Sequence, residues 1–408
     1  LASGASNTGI GYNALNVFTG SDATAVGSGA VAASSSAAGT TAVGKSALAV
    51  VTGGYNTAVG MNAGLTVTTG IQNTLVGYAT GDALTTGAAR NTAIGQASLS
   101  AGAVDDNTAV GNLALSAFTG SYATAVGSGA ADVATSAAYL TAVGYGALGA
   151  LTDGTGNTAV GVFSLHTNLT TGDYNTAVGH AAGQDVYGDH NAFVGRYAGL
   201  NASTVDYSVA IGSSALKGGA NFTDATCDYN NDPTITHDAN ANIIAGLAVS
   251  GTGIPAGATI ASLNSSTSFE LSASTTGGAV TNGTLTFYRH VGDYNIAIGG
   301  SALDAVTSGD RGVAIGHNAG SGITTAQGNV AIGYNALFTE DVSGGNVAIG
   351  HQALYTQNTD NSNNTAIGYN AAFALNGGTD SVYVGHLAGG VGVITGDFNT
   401  VVGKSAAY

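Results

Sequence analysis

Tryptophan is absent from this chain of 408 residues, Met and Cys occur once each, and Pro occurs twice. A lone Cys227 cannot close a disulfide within the chain, so a disulfide scaffold is excluded. Lys and Arg number 7 against 23 Asp and Glu, giving a net charge of −16. A chain so poor in cations repels phosphate, so no nucleic-acid partner is expected. Only 7% of residues are charged while 44% are hydrophobic, which fits neither an ordinary enzyme surface nor a charged disordered segment. No apolar run reaches the length of a membrane-spanning helix, so no membrane insertion is expected. No basic segment followed by an apolar stretch opens the chain. It begins on Leu1 in mid-repeat, as expected of a processed product or a fragment.

Glycine, by contrast, is abundant at 66 residues. It does not recur at every third place, which excludes collagen. It recurs instead in a unit Asn-Thr-Ala-Val/Ile-Gly-x-x-Ala-Leu. Twenty copies run from Gly11 to Gly212 and, after a step of 87, from Gly299 to Gly403. Every other step is 16, 17 or 18 residues, a metre that identical stacked coils keep and unrelated loops do not.

The residue before each repeat Gly is always Val or Ile, and two places earlier stands Thr or a β-branched apolar residue in 19 of 20 copies. Strands alternate with period two, so these columns share a face. They are expected to face inward. The predicted core is Val26, Val43, Val59, Val76, Ile94, Val110, Val126, Val143, Val160 and Val178, then Ile211, Ile298, Ile315, Ile332, Ile349 and Ile367. The alternate face holds Ala, small enough for another layer to approach closely. Ala-Leu after the Gly is read as the start of a second short strand. Asn, which opens the strand in 13 of 20 copies, is read as a coil-to-coil ladder or a turn residue. Helix is disfavoured by the period and by Gly, Thr and Asn. The fold class predicted is all-β: a parallel β-roll or β-solenoid of about 20 coils of about 17 residues, with one small all-β insertion. Coils this thin bury little apolar area each, so the small-residue face is expected to be shared with copies of the same chain.

The step of 87 keeps the repeat register on both sides, so about 70 extra residues leave one coil and return to it. The organisation is therefore 1–217 repeats, 218–290 a small inserted β-domain, and 291–408 repeats. Strand-like runs are expected at 243–249, 258–263, 269–273 and 285–288. The insert reads equally as a binding module or as a spacer.

Motifs suggestive of chemistry dissolve into the repeat. Gly39-Thr-Thr-Ala-Val-Gly44-Lys45-Ser46 matches the phosphate-loop pattern, but Lys45 occupies a variable column and Ala-Leu follows instead of a helix. Gly251-Thr-Gly253-Ile-Pro-Ala256 has Pro255 inside it and no βαβ unit around it. Acids such as Asp173, Asp189, Asp293 and Asp397 are read as Asx-turns. No catalytic, cofactor-binding or metal-binding residue is assigned and no cofactor is implied. Candidate surface contacts are Tyr145, His180, His317, Tyr334, His351 and Tyr369, all just after a repeat Gly.

Asn56-Thr-Ala-Val-Gly60-Met-Asn-Ala63 and Asn364-Thr-Ala-Ile-Gly368-Tyr-Asn-Ala371 resemble the head repeats of trimeric autotransporter adhesins. They look still more like the repeats of phage tail fibres that end in a self-cleaving intramolecular chaperone. The resemblance covers about 1–217 and 291–408. It implies left-handed parallel β-rolls, three chains per fibre, and attachment to a cell surface through a receptor or glycan. The expected function is a non-enzymatic structural or adhesive fibre, extracellular, as a virion tail fibre or cell-surface appendage. A self-assembling extracellular filament with a mechanical role is the alternative. An ice-binding solenoid ranks lower, because the Thr column is expected to face inward.

Overall fold

A computed structural model describes residues 4–84, 87–102, 104–166, 172–202, 205–218, 222–240, 242–243, 247–255, 258–288, 292–339, 343–358, 363–376, 378–390 and 394–407. These form an all-β parallel solenoid with turns about 17 residues apart, and no helix occurs among the described residues. The chain divides into two compact units, Leu1–His190 and Asn191–Tyr408. The first holds eleven three-residue repeat strands, from Thr8–Ile10 to Thr176–Val178. Each pairs in parallel with the next, without slippage: Thr108 on Thr124, Ala109 on Ala125, Val110 on Val126. The second holds nine, from Ala192–Val194 to Thr400–Val402, paired likewise.

Glycine sets the strand length. The repeat Gly has φ near +138°, a conformation that side chains rarely adopt. A Cβ on Gly111 would also collide with the carbonyl oxygen of Gly127 in the next coil. Beyond the Gly the backbone turns. Positions two and four past it are left-handed, as in Ser46 (φ 57°) and Leu48 (φ 47°). Alternating left-handed residues cannot make a strand, so the second strand expected at Ala-Leu does not form there. The exception lies just beyond such turns, where Thr356–Asn358 pairs in parallel with Ala374–Asn376.

The inward column is Ala, and this corrects the predicted core. Ala25, Ala42, Ala58 and their equivalents are fully buried. The flanking branched residues point outward. Val43, Val59, Ile94, Val126, Val178, Ile211, Ile315 and Ile367 are 36–40% exposed. Val26, Val76, Val110, Val143, Val160, Ile298, Ile332 and Ile349 are half-buried. A three-residue strand has a single inward position. The coil is so narrow that this position usually admits only a methyl group. The two branched residues on either side therefore face out together. The small-residue face is consequently the coil interior, not a surface offered to another chain.

Larger side chains close the interior from the turns. Leu48, Leu99, Leu115 and Leu148 are buried, as are Phe18, Val51, Val67, Leu84, Phe118 and Leu151, seven places past the Gly. A large strand centre is offset in the following turn. Where the central Ala becomes Leu75, Phe193 or Tyr383, the Leu four places past the Gly becomes Gly81, Gly199 or Gly389. A Cβ on Gly199 would run into the Phe193 ring, and one on Gly389 would approach the Tyr383 ring at 2.8 Å. Close packing forbids a large residue at both places, but both can be small, as in Ala58 with Gly64, Ala177 with Gly183 and Ala314 with Gly320.

Of the two roles expected for the Asn column, ladder or turn, the coil-to-coil ladder forms. Asn73 Oδ1 accepts from the backbone N–H and the side-chain Nδ2 of Asn91, both at 3.0 Å, and Asn91 Oδ1 accepts from the same groups of Asn107. Each Nδ2 also donates to a carbonyl one coil on, Asn91 to Val104 and Asn73 to Ala88. These amides are buried, so a full set of partners is what makes them tolerable inside. Where Ser replaces Asn, one bond survives: Ser208 Oγ accepts from Asn295 N at 3.0 Å.

Val209–Ile211 pairs directly with Ile296–Ile298 across the long step, so the chain between them leaves the stack and returns to the next coil. Six strands form between: Phe222–Asn230, Thr234–Thr236, Ala248–Ser250, Ile260–Ser265, Ser268–Leu271 and Ala279–Tyr288. They make an antiparallel sheet in the order third, sixth, first, second, fifth, fourth. Cys227, Ile235, Phe269, Leu285 and Phe287 form its core. The runs 258–263, 269–273 and 285–288 overlap observed strands. Of the run 243–249, residues 244–246 lie outside the described residues, as do 219–221 and 289–291 at the expected boundaries. The first two strands escaped notice because Thr, Asp and Asn dominate them.

Candidate functional site

Three features stand out from the coil geometry. The first is the outward strand face. In Leu1–His190 its rungs pair Thr with Val or Ile, as in Thr57 and Val59, and the Thr residues are half-buried or exposed. In Asn191–Tyr408 most rungs carry two branched apolar residues, as in Val313 with Ile315 and Val330 with Ile332. This is the reverse of the inward Thr column expected. Parallel register turns single exposed residues into continuous stripes.

The second is a file of rings. His317, Tyr334, His351 and Tyr369 come together, and His386 extends the row. Successive centroids lie 5.7, 5.2, 4.9 and 5.3 Å apart, with planes within 20°. All five are exposed. A second file, Phe338, Tyr355 and Phe373, stacks at 5.2 and 5.0 Å. Tyr145 lies elsewhere, edge-on to Phe163 at 5.2 Å, and His180 is exposed in another coil outside this file. The second file was missed, although its signal was legible as an aromatic five places past three consecutive repeat glycines.

The third lies in the antiparallel sheet. Burial pulls the Asp224 carboxyl upward, but hydrogen bonds from the backbone and hydroxyl of Thr226 and from Asn240, with His237 at 4.0 Å, bring it below its ordinary value. His237 and Asn240 line an open cleft of about 410 Å³ with Ile243, Leu263 and Ser265. Cys227 is fully buried, and burial together with Asp224 and Asp228 pushes its thiol up to about 12.

The recurring acids are not simple Asx-turns. Asp173 Oδ1 accepts from Thr155 N at 2.7 Å and Asp189 Oδ1 from Asp173 N at 2.8 Å, so each carboxylate caps the coil before it. Asp293 and Asp397 do the same for Asp206 and Thr379. Thr41–Val43, Gly44 and Lys45 are an ordinary rung and turn with no helix after them. Among the described residues no group of three or more His, Cys, Asp or Glu could hold a metal ion, and no helix is long and apolar enough to cross a membrane. Comparison with family models, with curated proteins and with solved structures finds no match to this chain.

Proposed function

We propose that this chain is a non-enzymatic fibre protein that works outside the cell as a homo-oligomer, spacing or presenting surfaces for attachment to a cell. Its setting is a phage tail fibre or a bacterial surface appendage. The observation that supports the reading is the outward Val/Ile stripe. A soluble chain gains nothing by lining up so many half-exposed branched residues unless something covers them. A second copy supplies the same stripe at the same rise, which makes the match self-complementary rung by rung. Three chains is the count that the repeat resemblance implies. Many weak contacts on such a fibre would add up to firm attachment.

The test is sedimentation of the wild type against Val330→Lys/Val347→Lys. The wild type is expected at three times the single-chain mass of 39.3 kDa. The double variant is expected to fall to one chain while keeping its β-sheet circular dichroism. A wild type that sediments as a single chain at micromolar concentration overturns the reading.

One observation favours a second reading. The outward Thr file of Leu1–His190, in unbroken register from Thr8 to Thr176, is a regular hydroxyl array of the kind an ice-binding face uses. Thermal hysteresis by the full chain would support that reading, and its absence would dismiss it.

A further inference from the structure

The column just after the repeat Gly is not dictated by the fold. In Leu1–His190 it accepts Lys45, Met61, Ser128 and Val162 without disturbing the coil. From Gly316 to Gly385 the same column reads His317, Tyr334, His351, Tyr369 and His386. Packing does not demand that regularity, because these rings are exposed. Beside the first four rings the next column is amides, Asn318, Asn335, Gln352 and Asn370, giving way to Leu387 beside His386, and Asn318 Nδ2 donates to Asn335 Oδ1 at 3.2 Å. Asn370 Oδ1 is buried and has no partner within the chain. Neither column of these coils contains Lys, Arg, Asp or Glu.

We propose that this file is a binding track for an extended, uncharged, β-linked polysaccharide chain lying along the direction in which the coils stack. The inner rings spend their faces on each other. What they leave for a ligand is a row of ring edges, alternately imidazole and phenol, repeating at 4.9–5.7 Å. A 1,4-linked pyranose chain with equatorial bonds is straight, and each sugar advances by nearly one such spacing. Its hydroxyls can therefore meet one rung after another. An α-linked chain coils and leaves the register within a few sugars. Amides and neutral ring edges suit vicinal hydroxyls, and a net charge of −16 disfavours acidic polymers. The track names the ligand class for the attachment reading above and rests on that reading for its biological setting.

The test is retention of the full chain on cellulose, on chitin and on starch granules, for the wild type and for Tyr334→Ser/Tyr369→Ser. Serine stands in this column at Ser128 and Ser213, so the variant is expected to keep its fold, checked by circular dichroism and melting. The wild type should be retained on cellulose or chitin and not on starch. The variant's affinity should fall by roughly tenfold or more, the size expected when aromatic anchors are lost. Equal retention on starch, unchanged retention of the folded variant, or no retention of the wild type would each overturn the track. Sedimentation of the same samples separates the two readings. A single chain that still holds cellulose fells the oligomer and keeps the track, whereas a trimer that ignores all three polymers fells the track alone.

Discussion

Leu1–His190 and Asn191–Tyr408 share one coil and differ in what the coil shows to its surroundings. The inward columns keep their character in both units. Ala fills most strand centres, Asn or Ser most of the ladder column, Gly the stack and often Leu the turn; Leu75, Phe193 and Tyr383 enlarge the strand centre, and Ala23, Thr40, Ala123, Leu140 and Gly312 interrupt the ladder column. The outward columns part company. Thr-x-Val rungs give way mostly to rungs with two branched apolar residues, and a scattered column becomes a file of His and Tyr. The difference teaches which positions the fold owns. Interior positions are set by a confined space, so a large residue gained at the strand centre must be offset in the turn. Outward positions carry little of the folding energy and are free to specialise.

Substitutions can break that comparison. The largest effect is expected from Gly111→Ala in the first unit and Gly333→Ala in the second. Both add a Cβ against the next coil's carbonyl at φ above 130°, and each should cost about 4 kcal/mol by strain plus overlap. Urea denaturation that finds one harmless would show that the glycine stack is not a shared requirement.

Next comes the ladder. Asn91→Ala and Asn346→Ala each leave buried N–H groups without acceptors, at about 2–4 kcal/mol. Asn91→Ser should cost less than half as much, because a Ser oxygen can still take the following backbone N–H, as at Ser381 and Asn399. Melting temperatures that rank Ala and Ser alike would remove the hydrogen bond from the explanation.

Gly199→Leu in the second unit should cost about 3 kcal/mol by overpacking against Phe193. Adding Phe193→Ala restores the Ala/Leu pair usual elsewhere and should recover most of the loss. A double-mutant cycle with no coupling would refute the volume exchange.

The smallest effects are expected at two polar groups. Tyr383→Phe removes a buried hydroxyl that has no partner and should stabilise by about 1 kcal/mol, read as a higher melting temperature. Asp224 has its folded pKa lowered, so its contribution is complete above the ordinary carboxylate range near pH 4 and fades as pH falls through the lower folded value. Stability measured between pH 5 and pH 2 should therefore fall less steeply in Asp224→Asn than in the wild type. Parallel slopes would deny Asp224 that role.

Much of this architecture was legible in the residues. The spacing of Gly11 to Gly403 announced parallel coils, and the Asn column announced a structural role, ladder or turn, between which the burial of the amides decided. The return of the chain after the step of 87 was legible too, since the register resumes at Asn295. The direction of the strand faces was not. Alternation shows that Thr and Val share a side opposite Ala, but it does not say which side is in. Hydrophobicity favoured Val, and volume chose Ala. The aromatic files were visible as columns of the repeat but not as stacked rings, because ring contact depends on how coils of 16, 17 and 18 residues superpose.

The sequence alone, then, determined the repeat, the strand class and the place of the long excursion, all of which follow from local conformation recurring at a fixed metre. Only the tertiary structure decided which methyl groups meet water, which aromatic rings touch, and how Thr- and Asp-rich segments near the long step become sheet. Those outcomes depend on the width of the coil and on neighbours many residues away, and no single window of sequence contains them.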